Sequence, residues 1–181
     1  KLLESGHPLM KELGDYVYHN VFLEYTKKQW GLKPTEIDRS VTSRVPVYIS
    51  KDNRFFQDKY QGMPLLGYTT MVEKMLSHRN IKVELDTDFK DVDKDKRYEK
   101  IVFSGCIDEY HNYQFGELGY RSLSFEKRTM NLNTYQETSQ VNYPNDYQFT
   151  RITEPKHFYR EILEEAKKTT LLVEYPQAYD K

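Results

Sequence analysis

An α+β fold, with helices first and then a mostly antiparallel sheet, follows from the order of patterns along this chain. Three observations carry that reading. Leu9, Leu13, Val17 and Val21 stand four apart, as on one face of a helix. From Tyr120 onward, short alternating segments succeed one another between turn residues. Among those segments a single helical pattern intervenes, roughly Pro155 to Lys167.

The first helix is expected over residues 9 to 30. Gly31 stops it and Pro34 follows, the usual order beyond a helix end. Residues 31 to 44 have little periodicity and predict a short helical turn or a mobile loop. Val45-Pro46-Val47-Tyr48-Ile49 has the composition of a strand, and Lys51-Asp52-Asn53 that of a turn. Gly62, Pro64 and Gly67 mark a loop over residues 57 to 68. Thr70 and Glu73 have the spacing of a capping box, so a helix is expected over about 70 to 79 with Val72, Met75 and Leu76 on its apolar face. Ile81 to Leu85 alternates as a strand, the charged stretch Asp86 to Lys100 predicts a solvated hairpin or loop, and Ile101-Val102-Phe103 predicts a short buried strand. The remaining strands are expected at Tyr120 to Phe125, Gln140 to Tyr143, Phe149 to Thr153 and Thr170 to Tyr175. Pro155 sits well at the first turn of the last helix, whose apolar face is Phe158, Ile162, Leu163 and Ala166.

Composition narrows the function. The chain has 181 residues, 38% hydrophobic and 30% charged, with 27 Lys and Arg against 28 Asp and Glu. A net charge of -1 carries no basic excess for general nucleic-acid binding. Sixteen tyrosines and nine phenylalanines suit stacking surfaces, although Tyr-rich β domains have them without any ligand. The single cysteine, Cys106, permits no internal disulfide and fits a reducing, cytoplasmic setting. No apolar run reaches the roughly 20 residues of a membrane-spanning helix. No signal peptide is visible, and the chain starts at Lys1 rather than Met, as a piece of a longer protein would.

The densest chemistry lies in Tyr25-Thr26-Lys27-Lys28-Gln29-Trp30-Gly31. On a helix, Phe22, Thr26 and Trp30 form one column and Tyr25 with Gln29 the next. Such columns could clasp a nucleobase and its sugar, stacking being worth on the order of 1–3 kcal/mol per base. Spacing alone favours the simpler alternative, an amphipathic face with Trp30 as a core plug. Arg44 and Arg151 have the forked geometry that suits a diphosphate, while exposed arginines on a sheet are commoner. Asp91-Val92-Asp93-Lys94-Asp95 opens like a calcium loop, but Lys96 stands where glycine is needed and Val102 where a bidentate Glu is needed. His7, His19, His78, His111 and His157 never pair at a ligand spacing, so no metal site is expected. No nucleophile elbow, phosphate loop or dinucleotide glycine fingerprint occurs. Cys106 reads best as a small buried side chain.

With these residues in hand, the chain resembles the UDP-galactopyranose mutases. The motifs fall in order. They begin with Tyr25 to Gly31, Arg44-Val45-Pro46-Val47, Tyr60-Gln61-Gly62-Met63-Pro64 and Gly67-Tyr68-Thr69. They continue with Gly105-Cys106-Ile107-Asp108-Glu109-Tyr110 and Tyr120-Arg121-Ser122-Leu123-Ser124-Phe125-Glu126. Val141-Asn142-Tyr143 and Thr150-Arg151-Ile152-Thr153-Glu154-Pro155-Lys156-His157-Phe158 close the series. No single motif decides; their joint order and spacing do.

The resemblance implies an isomerase that interconverts UDP-galactopyranose and UDP-galactofuranose for cell-surface glycan synthesis, with reduced FAD as a covalent catalyst. It implies that Tyr25 stacks on the uracil with Phe22 nearby, and that Thr26 and Trp30 line the UDP channel. Arg44, on a mobile loop of about residues 36 to 48, and Arg151, on the sheet side, would position the diphosphate. Asn142 would contact the nucleotide, and Phe55 stands where the family usually has a substrate-contacting tyrosine. Gly105 and Asp108 would contact the cofactor; Cys106 stands where proline is common. Along the chain the resemblance implies a mainly helical UDP-binding region over 1–80, a return segment toward a flavin domain over 81–119, and a sheet region with one helix over 120–181. The family's Gly-rich FAD-binding start and its C-terminal segment have no counterpart in these residues. The expectation is therefore a central fragment that alone binds no FAD and is inactive, from a parent expected as a homodimer. An alternative of another class is a non-catalytic sugar-nucleotide binding module in glycan assembly.

Overall fold

The computed structural model describes residues 2–43, 50–51, 56, 58–92, 98–159 and 167–179. The expected strand at Val45 to Ile49, Arg44, Phe55 and most of the expected last helix lie outside the described residues. Two compact units divide the chain, one of residues 1–59 with 120–181 and one of residues 60–119.

The first unit begins with α1 (Pro8–Val17), a π-helical turn (Tyr18–Leu23) and α2 (Glu24–Trp30). The expected single helix over 9 to 30 is thus continuous in path but not in kind. A π turn widens the helix by about one residue, so columns counted at four-residue spacing do not carry across it unchanged. Gly31 ends α2 as expected, in the left-handed conformation at φ 70°, with its N–H donating to the Lys27 carbonyl at 2.8 Å. A β-carbon at Gly31 would meet the Arg121 guanidinium at an ordinary 3.7 Å. Gly31→Ala is therefore expected to cost about 1 kcal/mol, from backbone strain and not from a clash. Calorimetry should read this as a fall of about 2–4 °C in the melting midpoint. A short 3-10 turn (Pro34–Glu36) and α3 (Arg39–Ser43) follow.

Four antiparallel strands complete this unit: β1 (Arg121–Met130), β2 (Gln140–Asn142), β3 (Arg151–Thr153) and β4 (Thr169–Ala178), in the order β1-β4-β3-β2. All four strands expected from Tyr120 onward are present, and helices followed by an antiparallel sheet make the chain α+β. Central position explains the core. β4 pairs with β1 on one side and β3 on the other, and its Leu171 and Val173 are buried with Ile152 of β3. Met130, Tyr143, Phe149 and Tyr175 pack around them. Pro155–Tyr159 forms a 3-10 turn where the last helix was expected to begin.

The second unit holds α4 (Gly67–Leu76), a 3-10 turn (Phe89–Asp91) and α5 (Ile107–Tyr110). Its helix starts earlier than the capping-box spacing implies. Gly67, at φ 82°, closes a turn by donating to the Pro64 carbonyl at 2.9 Å, so Thr70 falls inside the helix and cannot cap it. The strands expected at 81 to 85 and 101 to 103 are not formed; Val102 is 93% exposed. Alternation and β-branching favour strands only where a neighbour supplies hydrogen bonds, and no described segment does so here. Phe89, Phe103 and Tyr110 stack instead, with centroids 5.0 to 5.9 Å apart.

Candidate functional site

The sheet builds the first half of the site by parity. Side chains alternate along a strand, so residues paired across the ladder share a face. Asn142 of β2 pairs with Arg151 of β3, Arg151 with Glu174 of β4, and Glu174 with Phe125 of β1. These four stand in one row across the sheet. The neighbouring row, with Ile152 opposite Val173, turns to the core.

Helix α2 supplies the second half. Arg151 Nη2 lies 3.4 Å from the Tyr25 hydroxyl, its Nε donates to Asn142 Oδ1 at 3.2 Å, and its Nη1 lies 3.9 Å from Glu174 Oε2. Glu174 is buried and accepts from the Thr150 hydroxyl at 3.0 Å. Burial works against the Arg151 charge, but Tyr25 and Glu174 more than offset it, and its pKa is held above the ordinary guanidinium value. The result is a fixed cation on the sheet with an aromatic hydroxyl above it and an amide beside it. Guanidinium, amide and aromatic hydroxyl together can take a diphosphate and an adjoining polar ring.

Of the residues singled out from sequence, Tyr25, Asn142 and Arg151 are brought together. Thr26 is buried in α2. Trp30 is 37% exposed, so it is no core plug. Phe22 lines a shallow cavity with Leu2, Leu3, Gly14, Val17 and Tyr18. Gly105 and Asp108 belong to the other unit. A β-carbon at Gly105 would come within 2.5 Å of the Phe103 ring. Asp108 is buried, and its two oxygens accept from the backbone N–H groups of Glu109 and Leu118, each at 3.1 Å. Both positions have these contacts within their own loop. No cluster among the described residues could hold a metal ion, and no described helix is long and apolar enough to cross a membrane. Cys106, expected to be buried, is exposed; it stands at the start of α5, and its side chain makes no capping hydrogen bond there.

Three contributors escaped the sequence reading. Glu174 anchors Arg151 from the next strand. Arg121 of β1 donates to the Gln29 and Lys28 carbonyls at 3.1 and 3.4 Å, satisfying the end of α2. Lys28 donates to the carbonyls of Tyr143, Tyr147 and Phe149, the last two at 3.1 and 3.2 Å. Burial lowers the Lys28 pKa, opposed by Asp146 and Glu24. Strand parity could have suggested Glu174; the other two depend on contacts far apart in sequence.

Comparison with known proteins adds an independent line. The UDP-galactopyranose mutase family matches residues 20–181. A probable UDP-galactopyranose mutase of Klebsiella pneumoniae is 41% identical over 150 residues, covering 82% of this chain and 38% of the relative. A dTDP-fucopyranose mutase of Escherichia coli is 37% identical over 178 residues, covering 95% and 47%. A UDP-galactopyranose mutase of Mycoplasma genitalium is 35% identical over 160 residues, covering 83% and 40%. The chain spans less than half the length of each of these relatives.

Proposed function

Because the chain belongs to the UDP-galactopyranose mutase family, we propose that it forms the nucleotide-sugar binding part of an isomerase interconverting UDP-galactopyranose and UDP-galactofuranose. The observation that carries this reading is the meeting of Tyr25 from α2 with Arg151 and Asn142 from the sheet. In this reading Tyr25 stacks on the uracil, Thr26 and Trp30 line the channel, and Phe22 supports it from the preceding turn. Arg151 holds the diphosphate from the sheet side, Asn142 contacts the nucleotide, Arg44 also positions the diphosphate, and Phe55 stands at a substrate-contacting position. Gly105 and Asp108 contact the cofactor in this reading, from a loop that Asp108 shapes by accepting from the Glu109 and Leu118 N–H groups.

The work of these residues is binding and orientation: a diphosphate fixed at both oxygen sets leaves the sugar free to change ring size. Reduced FAD is the covalent catalyst in this reading, and no step is assigned to the present residues through it. The 1–80 and 120–181 stretches supply the substrate side, and 81–119 the return toward the flavin domain. The chain alone binds UDP weakly and carries neither FAD nor turnover. In this reading the parent is a cytoplasmic, homodimeric enzyme with no role in nucleic-acid binding.

The test is a calorimetric or NMR titration of the chain with UDP, dTDP and uridine. UDP is expected to bind in the millimolar range or tighter, and Tyr25→Ala to weaken it by on the order of tenfold through lost stacking. No shift at millimolar UDP overturns the reading. Tighter binding of dTDP redirects it to a deoxythymidine-linked sugar.

A further inference from the structure

We propose that Lys28 is a positioning residue whose ammonium closes the loop between Asn142 and Arg151 and so holds the sheet-side groups of the site against Tyr25. The inference rests on the reading that Arg151 meets the diphosphate.

The geometry is specific. Residues 143–150 join β2 to β3, so the loop starts directly after Asn142 and ends directly before Arg151. Its base is closed by the Tyr143 N–H donating to the Thr150 carbonyl at 2.9 Å. Its rings meet edge to face, Tyr143 against Tyr147 and against Phe149 at 4.9 and 4.8 Å between centroids. The loop's carbonyls at Tyr143, Tyr147 and Phe149 converge on Lys28 Nζ. An ammonium has three N–H donors, and three carbonyls use all of them. Lys28 therefore has no donor left for a phosphate, although it lies in the segment where the resemblance places the UDP-facing residues. Lys27 is also committed, to Glu24 at 2.6 Å.

Position on the helix completes the argument. Tyr25 and Lys28 are three apart and neighbours on the surface of α2. One reaches the guanidinium of Arg151, the other the loop that presents it. The two contacts form a closed circuit of helix, loop and strand. Cutting it at Lys28 frees Asn142 and Arg151 to shift while leaving Tyr25 and its helix in place. Arg121 still holds the end of α2 from β1.

The experiment compares UDP with uridine on the complete polypeptide. Lys28→Met keeps the apolar stem and removes the donors. It is expected to weaken UDP about tenfold and uridine less than about twofold, because only the diphosphate feels Arg151. In an Arg151→Ala background the same change is expected to add no further loss for UDP. Equal losses for UDP and uridine, or a full additional loss in the Arg151→Ala background, overturn the proposal. If Arg151→Ala itself leaves the UDP-to-uridine ratio unchanged, the diphosphate reading fails instead. Should Lys28→Met not fold, Lys28→Arg keeps the charge but not three donors converging from one atom. It is judged by the same ratio: an unchanged ratio overturns the proposal, and a reduced one supports it.

Discussion

Arg151→Ala is expected to weaken UDP binding by about 30- to 150-fold, the equivalent of about 2–3 kcal/mol. The size of the effect follows from what holds the guanidinium. Asn142 takes its Nε, Tyr25 stands at one terminal nitrogen and Glu174 lies 3.9 Å from the other. A cation held on three sides loses little conformational freedom when an anion arrives, so most of its attraction is realised as affinity. Arg151→Lys separates charge from shape. It keeps a cation but loses the planar fork, and a loss of about tenfold is expected. Removing the cation also leaves buried Glu174 with the Thr150 hydroxyl as its described side-chain donor. Binding must therefore be measured alongside melting temperature. Wild-type affinity in a folded Arg151→Ala protein removes Arg151 from the site.

The parts of the fold that sequence foretold are those dictated by local rules. Gly31 could be placed because a left-handed residue is needed at a helix end and glycine adopts it without a β-carbon penalty. The strands around Arg151 could be placed because β-branched alternation there coincides with real neighbours. The same signal at 81–85 and 101–103 misled, because a strand is defined by its partner as much as by itself. The π turn at Tyr18–Leu23 has no composition signature, and it divides a periodic pattern that otherwise reads as a single helix. The site divides in the same way. Tyr25, Asn142 and Arg151 carry recognisable chemistry and stand in recognisable motifs. Lys28 and Arg121 act through backbone carbonyls, which every residue has, so nothing at the acceptor end marks the contact in advance. Arg44 and Phe55 lie outside the described residues, and their roles stay with the proposal.

The second large effect is expected at Glu154, whose side chain is fully buried. It accepts from the Thr169 hydroxyl at 2.5 Å and from the backbone N–H groups of Gln136 and Tyr135 at 2.9 and 3.0 Å. His157 Nε2 lies 3.2 Å from it and 2.8 Å from the Gln136 carbonyl. The carboxylate thus fastens the loop before β2, the start of β4 and the turn after β3 to one point. Removing it strands several buried donors at once, each costing about 1–3 kcal/mol. Glu154→Ala is expected to lose about 3 kcal/mol or more, a fall of roughly 6–12 °C in the melting midpoint for a chain of this size. The pH dependence has a definite sign. Burial pushes the Glu154 carboxyl up, but the donors from Thr169, Gln136, Tyr135 and His157 outweigh it and hold the pKa below the usual carboxylate value. A group with a depressed folded pKa contributes stability above its unfolded pKa, about 4.3, and loses it as pH falls through the folded value. The gap in melting midpoint between wild type and Glu154→Gln should therefore be full at pH 7 and narrow as the pH drops below about 4. A gap that stays constant down to pH 3 would show that the charge on Glu154 is not what ties these three segments together.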